Sequence, residues 1–185
     1  MRTTIDGVPV IGVMATSGTG KTTLLRALLP RLRDAGLRVA CVKHTHHHIE
    51  IDKPGKDSHT LRAAGAQQML LASPGGWALM VDAPATDGDD FTTLVRHLQL
   101  RSLDLVLVEG FKFEDFPKLA LHRYDLSGAL EPPTDATVIA LASNQRPLPA
   151  AAVPLFALDD AAGIAAFIIH HCTQLSALRA DTART

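Results

Sequence analysis

Apolar residues along this chain fall into short unbroken runs separated by longer stretches of helical spacing. The run Val8-Pro9-Val10-Ile11-Gly12-Val13-Met14 is apolar at nearly every position, which predicts a strand covered on both faces. Over 22–35, Leu24, Leu28, Leu32 and Ala35 share one stripe with Leu25 and Leu29 beside it, the pattern of an amphipathic helix. Pro30 lies inside that helix, where it removes a donor and favours a kink, and Gly36 supplies a stop. A second strand is predicted over 37–43, and Asp57 or Ser58 can cap a short helix that ends at Gly65. Residues 68–72 and 77–81 predict two strands joined by Ser73-Pro74-Gly75-Gly76, hence a hairpin.

A third helix is predicted from Asp90 to about Leu100, followed by a buried central strand from Leu103 to Glu109. Further strands are predicted over 118–123, 138–142 and 153–156, with a loop through Pro132-Pro133. A last helix, opening at Asp159 or Asp160, sets Ala161, Ile164, Ala165, Ile168, Cys172 and Leu175 on its inner face. This alternation predicts an α/β fold with a mostly parallel sheet and a β-hairpin extension. The hairpin would prolong the sheet past one edge, where a second copy of the chain could pair with it. The expectation is one domain over 1–178 and a disordered polar tail over 179–185.

Composition narrows the function classes. A chain of 185 residues, 46% apolar and 20% charged, has material for a sizeable core. A net charge of −1 argues against a sequence-independent grip on nucleic acid. The first apolar run is too short for a signal or membrane segment, so the expected setting is cytoplasmic, with no membrane partner. Cys41 and Cys172 form no CxxC and are expected to be reduced, buried thiols. Trp77, the one tryptophan, can anchor the hairpin to a second copy or cover the core, and the core is the expectation.

The chemistry begins at residues 15–22, Ala-Thr-Ser-Gly-Thr-Gly-Lys-Thr. This is a phosphate-binding loop with Ala15 where the commonest form has glycine, and it stands between a predicted strand and a predicted helix. The fold expected is therefore that of P-loop NTPases. Backbone N–H groups of such a turn point inward, and the positive helix end adds to their field. Ser17, Gly18, Thr19, Gly20, Lys21, Thr22 and Thr23 would hold phosphates, with Lys21 also spreading transition-state charge and Thr22 ligating Mg²⁺. A second metal group is sought at the carboxyl end of a parallel strand. Glu109 is there, whereas Asp104 is five residues back, roughly 16 Å away at strand rise.

The loop after the second strand carries Asp52, Lys53, Lys56 and Asp57. Asp57 has a competing role as a helix cap, so Asp52 is the better candidate to orient water or a metal-bound water. The run from His44 to His48 lacks a spacing that completes a tetrahedral metal set. Ala142-Ser143-Asn144 follows a strand that would end near the base. An aspartate there would accept from guanine N1 and N2, but Asn144 has one carbonyl acceptor and leaves the base open. Arg62 and Arg123 are candidate donors of positive charge.

Several segments together resemble the MobB-type family of molybdopterin-guanine dinucleotide biosynthesis adaptor proteins. They are the phosphate loop with Thr23 and Leu24, Val-Lys-His-Thr-His-His at 42–47 and Asp-Lys-Pro-Gly-Lys-Asp-Ser at 52–58. Arg-Ala-Ala-Gly-Ala at 62–66, Trp-Ala-Leu-Met at 77–80 and Leu-Val-Glu-Gly-Phe-Lys at 107–112 complete the set. The resemblance covers most of residues 8–170. It implies a small GTP- and Mg²⁺-binding protein with weak GTPase activity, dimeric through sheet pairing of the 68–81 hairpin. It further implies work beside the guanylyltransferase and other molybdenum cofactor proteins. Two other readings of the loop are a small-molecule kinase and a metal-insertion GTPase using His44 to His48. The first wants an arginine-rich lid, and 111–123 holds a single arginine.

Overall fold

The computed structural model describes residues 1–45, 49, 51–82, 90–124, 135–145 and 152–182. In chain order the elements begin with β1 (Thr4–Ile5), β2 (Val8–Met14), α1 (Lys21–Asp34) and β3 (Val39–Lys43). Next come α2 (Asp57–Ala63), β4 (Gln68–Ser73), β5 (Gly76–Val81) and α3 (Phe91–Val95). A 3₁₀ turn over Leu100–Ser102 leads into β6 (Leu105–Glu109), β7 (Lys118–His122), β8 (Val138–Ser143), β9 (Leu155–Ala157) and α4 (Ala161–Thr182).

Strands β3-β6-β2-β7-β8-β9 lie side by side in that order, all neighbours parallel, and β1 adds antiparallel to β2. The continuous apolar runs split by the two-residue period of a strand. Ile11, Val13, Leu105 and Leu107 face one core with Leu24, Leu28, Leu32, Ile164 and Ile168 from α1 and α4. Val10, Val106 and Val108 face the other core with Phe91, Val95 and Phe116. Both faces being covered is why β2 and β6 carry almost no polar residue.

Helix α1 ends at Asp34 and is closed by Gly36, whose φ is 88°; Gly36 N donates to Arg33 O and Leu37 N to Leu32 O. Pro30 lies inside α1 as expected. The chain divides into two compact units, 1–44 with 91–185 and 45–90. The second unit holds α2 and the hairpin β4–β5, whose ladder runs from Gln68↔Val81 to Ser73↔Gly76.

Several expectations are corrected. The hairpin forms its own two-stranded sheet rather than prolonging the parallel one. The third helix stops at Val95, because His97 N and Leu98 N turn to carbonyls three residues back, Leu94 O and Val95 O, and tighten the last turn. Asp57 is the first residue of α2, and the capping position falls on Lys56 with no side-chain bond. Trp77 is 58% exposed, not core. Cys41 is exposed on the outer strand β3, whereas Cys172 is buried and free.

Candidate functional site

Strand β2 ends at Met14 in the middle of the sheet, and the loop 15–20 carries the chain from its carboxyl end directly into α1. Gly18 and Gly20 have φ of 78° and 109°, the left-handed region that glycine enters without strain. Ala15 is not among the residues with positive φ, so the loop does not need glycine there. Thr19 is buried, and its hydroxyl bridges Thr16 Oγ1 at 2.9 Å and donates to Thr16 O at 3.0 Å. The Lys21 ammonium arches over the turn, donating to Ala15 O at 3.1 Å and Thr16 O at 2.9 Å. Ser17, Gly18, Thr22 and Thr23 present themselves to solvent.

Arg123 follows β7 and places Nε 3.3 Å from Thr19 O, so a guanidinium rests on the loop. Only its position after a strand hinted at this in the sequence, because β7 had first to be set beside β2. A cavity of about 760 Å³ opens next to it, lined by Thr19, Gly20, Thr23, Arg123, Asn144 and Asp159 among others. Asn144 therefore joins the phosphate loop in one cleft. Its Oδ1 accepts from Tyr124 N at 2.9 Å.

Glu109 is the last residue of β6 and pairs in register with Val13 on one side and Lys43 on the other. Its carboxylate is 16% exposed, and Lys43 Nζ approaches to 3.8 Å. The strand thus brings this acid to the edge from which the phosphate loop leaves. Asp104 sits at the opposite end, where Arg38 donates to both its oxygens at 2.8 and 2.9 Å; this pairing holds its carboxyl below the usual range. At Gly110, φ is 103° and an added Cβ would stand 2.7 Å from His44 Cβ, so the β6 exit and the β3 exit pack backbone to backbone. Beyond it four rings meet in series at tilted angles: His44 against Phe111 with centroids 4.4 Å apart, Phe111 against Phe91 at 5.0 Å, and Phe91 against Phe116 at 4.9 Å.

Asp52 belongs to the second unit. Its Oδ1 accepts from Ser58 Oγ at 2.9 Å, and its buried Oδ2 has no hydrogen-bond partner among the described residues. Arg62 pairs with Asp82 at 2.5 Å and lines, with Asp52 and His59, a cavity of about 240 Å³. His46, His47 and His48 lie outside the described residues, and so does the loop through Pro132-Pro133. Among the described residues no group of three or more His, Cys, Asp or Glu is arranged to hold a metal ion. No helix among them is long and apolar enough to cross a membrane.

With this geometry in place, known proteins sharpen the assignment. The family described as Molybdopterin guanine dinucleotide synthesis protein B, MobB, matches residues 10–144. The chain belongs to the MobB family. A relative of the MobB-family chain, the molybdopterin-guanine dinucleotide biosynthesis adapter protein of Escherichia coli K12, is 44% identical over 88% of this chain and 92% of its own length. The protein of the same description from Haemophilus influenzae is 42% identical over 74% of this chain and 75% of its own. The crystal structure of Bacillus subtilis MobB superposes with a TM-score of 0.69 at 26% identity, covering 88% of this chain and 96% of that one. The α/β architecture with its mostly parallel sheet is thus the MobB architecture.

Proposed function

We propose that this MobB-family chain is a GTP-binding adapter of molybdopterin guanine dinucleotide biosynthesis that hydrolyses GTP slowly. The names of its relatives support the pathway. One observation supports the ligand: Thr19, Gly20 and Thr23 of the phosphate loop line the same 760 Å³ cavity as Asn144, room for a nucleoside beside its phosphates. In this reading the backbone of Ser17 to Thr23 cradles phosphate oxygens, and the ammonium of Lys21 turns from two neutral carbonyls to an anion. Thr22 and Glu109 supply hard oxygen ligands of the kind Mg²⁺ prefers, and when bound that ion would neutralise charge on the β- and γ-phosphates. Asp52, with one carboxylate oxygen fixed by Ser58 and the other unpartnered among the described residues, is suited to orient a water.

Slow turnover fits a cavity that no glutamine lines among the described residues. Dimerisation through residues 68–81 rests on the hairpin's exposed apolar face. Leu70 opposes Leu79, and with Trp77 and Val81 they share that face, each more than two-fifths exposed. Its partners are then the guanylyltransferase and other molybdenum cofactor proteins in the cytoplasm.

The test is a titration of GTP and of ATP with Mg²⁺, wild type beside Lys21→Ala. Tight GTP binding that the substitution removes is the expected result. Equal affinity in both proteins would sink the reading.

A further inference from the structure

The cavity beside the phosphate loop holds an acid that neither caps a helix nor pairs with a cation among the described residues. Asp159 lines it together with Gly20, Thr23, Asn144 and Leu158. We propose that Asp159 reads the base: its carboxylate accepts the N1–H and N2–H₂ donors of guanine. This rests on the reading of that cavity as the nucleotide site.

Guanine makes a specific demand of a protein. Its Watson–Crick edge offers two adjacent donors, and one carboxylate can accept both. Asn144 cannot do this, having a single carbonyl oxygen that already accepts from Tyr124 N at 2.9 Å. The residue that follows β8 in this chain is therefore the wrong type, and its acceptor is already engaged.

Parallel pairing brings the missing group to the same place. Ser143 of β8 is in register with Ala157 of β9, and Leu158 N donates to Ser143 O at 3.1 Å. Asp159 therefore leaves the sheet one residue beyond the partner of Asn144. The turn that carries it is short and pinned, since Asp160 N donates to Ala157 O at 3.0 Å and Ala161 N to Asp159 O at 2.8 Å.

The neighbouring acid has a different task. Asp160 Oδ1 accepts from Gly163 N at 2.8 Å and caps α4, so tightly that a Cβ at residue 163 would stand 2.4 Å from Asp160 Oδ2. Asp159 does none of this. It is exposed, and its carboxylate has neither a hydrogen bond nor an ion pair among the described residues. Two consecutive aspartates thus divide the work, one closing the helix and one facing the cleft. Adenine would set its N1 lone pair against this carboxylate, so the same group rejects ATP.

The experiment uses the intact chain with Mg²⁺ and compares GTP, ATP and XTP by competition titration, for wild type, Asp159→Asn and Asp159→Ala. Xanthine carries a carbonyl at C2 where guanine carries the amino group, so an amide at residue 159 should suit it. Asp159→Asn is expected to lose GTP affinity by about 100-fold and to gain XTP affinity by a similar factor. Asp159→Ala should lose GTP without gaining XTP. An unchanged melting temperature and unchanged affinity for inorganic triphosphate, which has no base, show that both variants keep the fold and the phosphate loop, while ATP affinity should rise as the repulsion is removed. A wild type that binds GTP tightly, with a GTP-to-XTP preference that Asp159→Asn leaves alone, overturns this assignment and spares the nucleotide site. A wild type that prefers neither GTP nor ATP does the same. Failure of every triphosphate to bind the wild type overturns the nucleotide reading itself, and this one with it.

Discussion

Strand β6 and the hairpin β4–β5 are much alike in sequence and opposite in surroundings. Leu105 to Val108 are at most 1% exposed, whereas Leu70, Trp77, Leu79 and Val81 range from 41% to 58%. Apolar composition makes both into strands; the number of partner layers decides what each does next. The central strand has helices or rings on both faces, so its carboxyl end is a rigid ledge from which Glu109 is presented. Within its own unit the hairpin has one face engaged, where Met80 Sδ lies 3.6 Å from Arg62 Nη1, and it exposes the other, on which the proposed pairing with a second copy would rest.

Substitutions and chemical treatments can break this contrast. The largest effect is expected from Lys21→Ala, which should reduce GTP affinity by at least about 100-fold in a titration while leaving the dimer intact. Leu79→Asp should do the reverse, yielding monomers in sedimentation with nucleotide affinity unchanged. Should the wild type already sediment as a monomer at every concentration, the role given to the hairpin fails. Leu107→Ala, in the closed layer, should cost about 2–5 kcal/mol in urea unfolding, against under about 1 kcal/mol for Leu70→Ala in a monomeric background.

The smallest effect concerns Cys172, where burial pushes the thiol from 9.0 up to about 11. The unfolded thiol ionises first, so the folded chain holds the extra proton across that window and stability falls as pH rises through it. The loss should be at most about 3 kcal/mol, absent in Cys172→Ala. Iodoacetamide at pH 8 should modify Cys41 before Cys172.

Much of this was legible in the sequence because local pattern and tertiary outcome agree. The strands β2, β6, β7 and β8 were each within about two residues of their observed ends, since a buried strand cannot hide its apolar run. The glycine turn between β2 and α1 was legible because its signals, an apolar run before it and helical spacing after it, are local. Strand β1 was missed although its signal was present: Asp6-Gly7 is a two-residue turn with φ of 43° and 84°, a dipeptide suited to a hairpin. The length of α3, the exposure of Trp77 and the partnering of the hairpin depend on which layer covers which, and no single segment encodes that. The same limit applies in the cleft. Asp159 read as a helix start, and only the pairing of β8 with β9 gives it a second role beside Asn144.

Gly12 lies at the far end of the ring series from His44. An added Cβ would stand 2.4 Å from Phe116 Cε2, so the absence of a side chain in β2 is what seats the first ring. Each ring lies against the next, so a displacement at Phe116 is passed through close-packed contacts to Phe91, Phe111 and His44. A single methyl group at Gly12→Ala, on the back of the central strand, should therefore register as a chemical-shift change on the imidazole of His44 at the exit of β3.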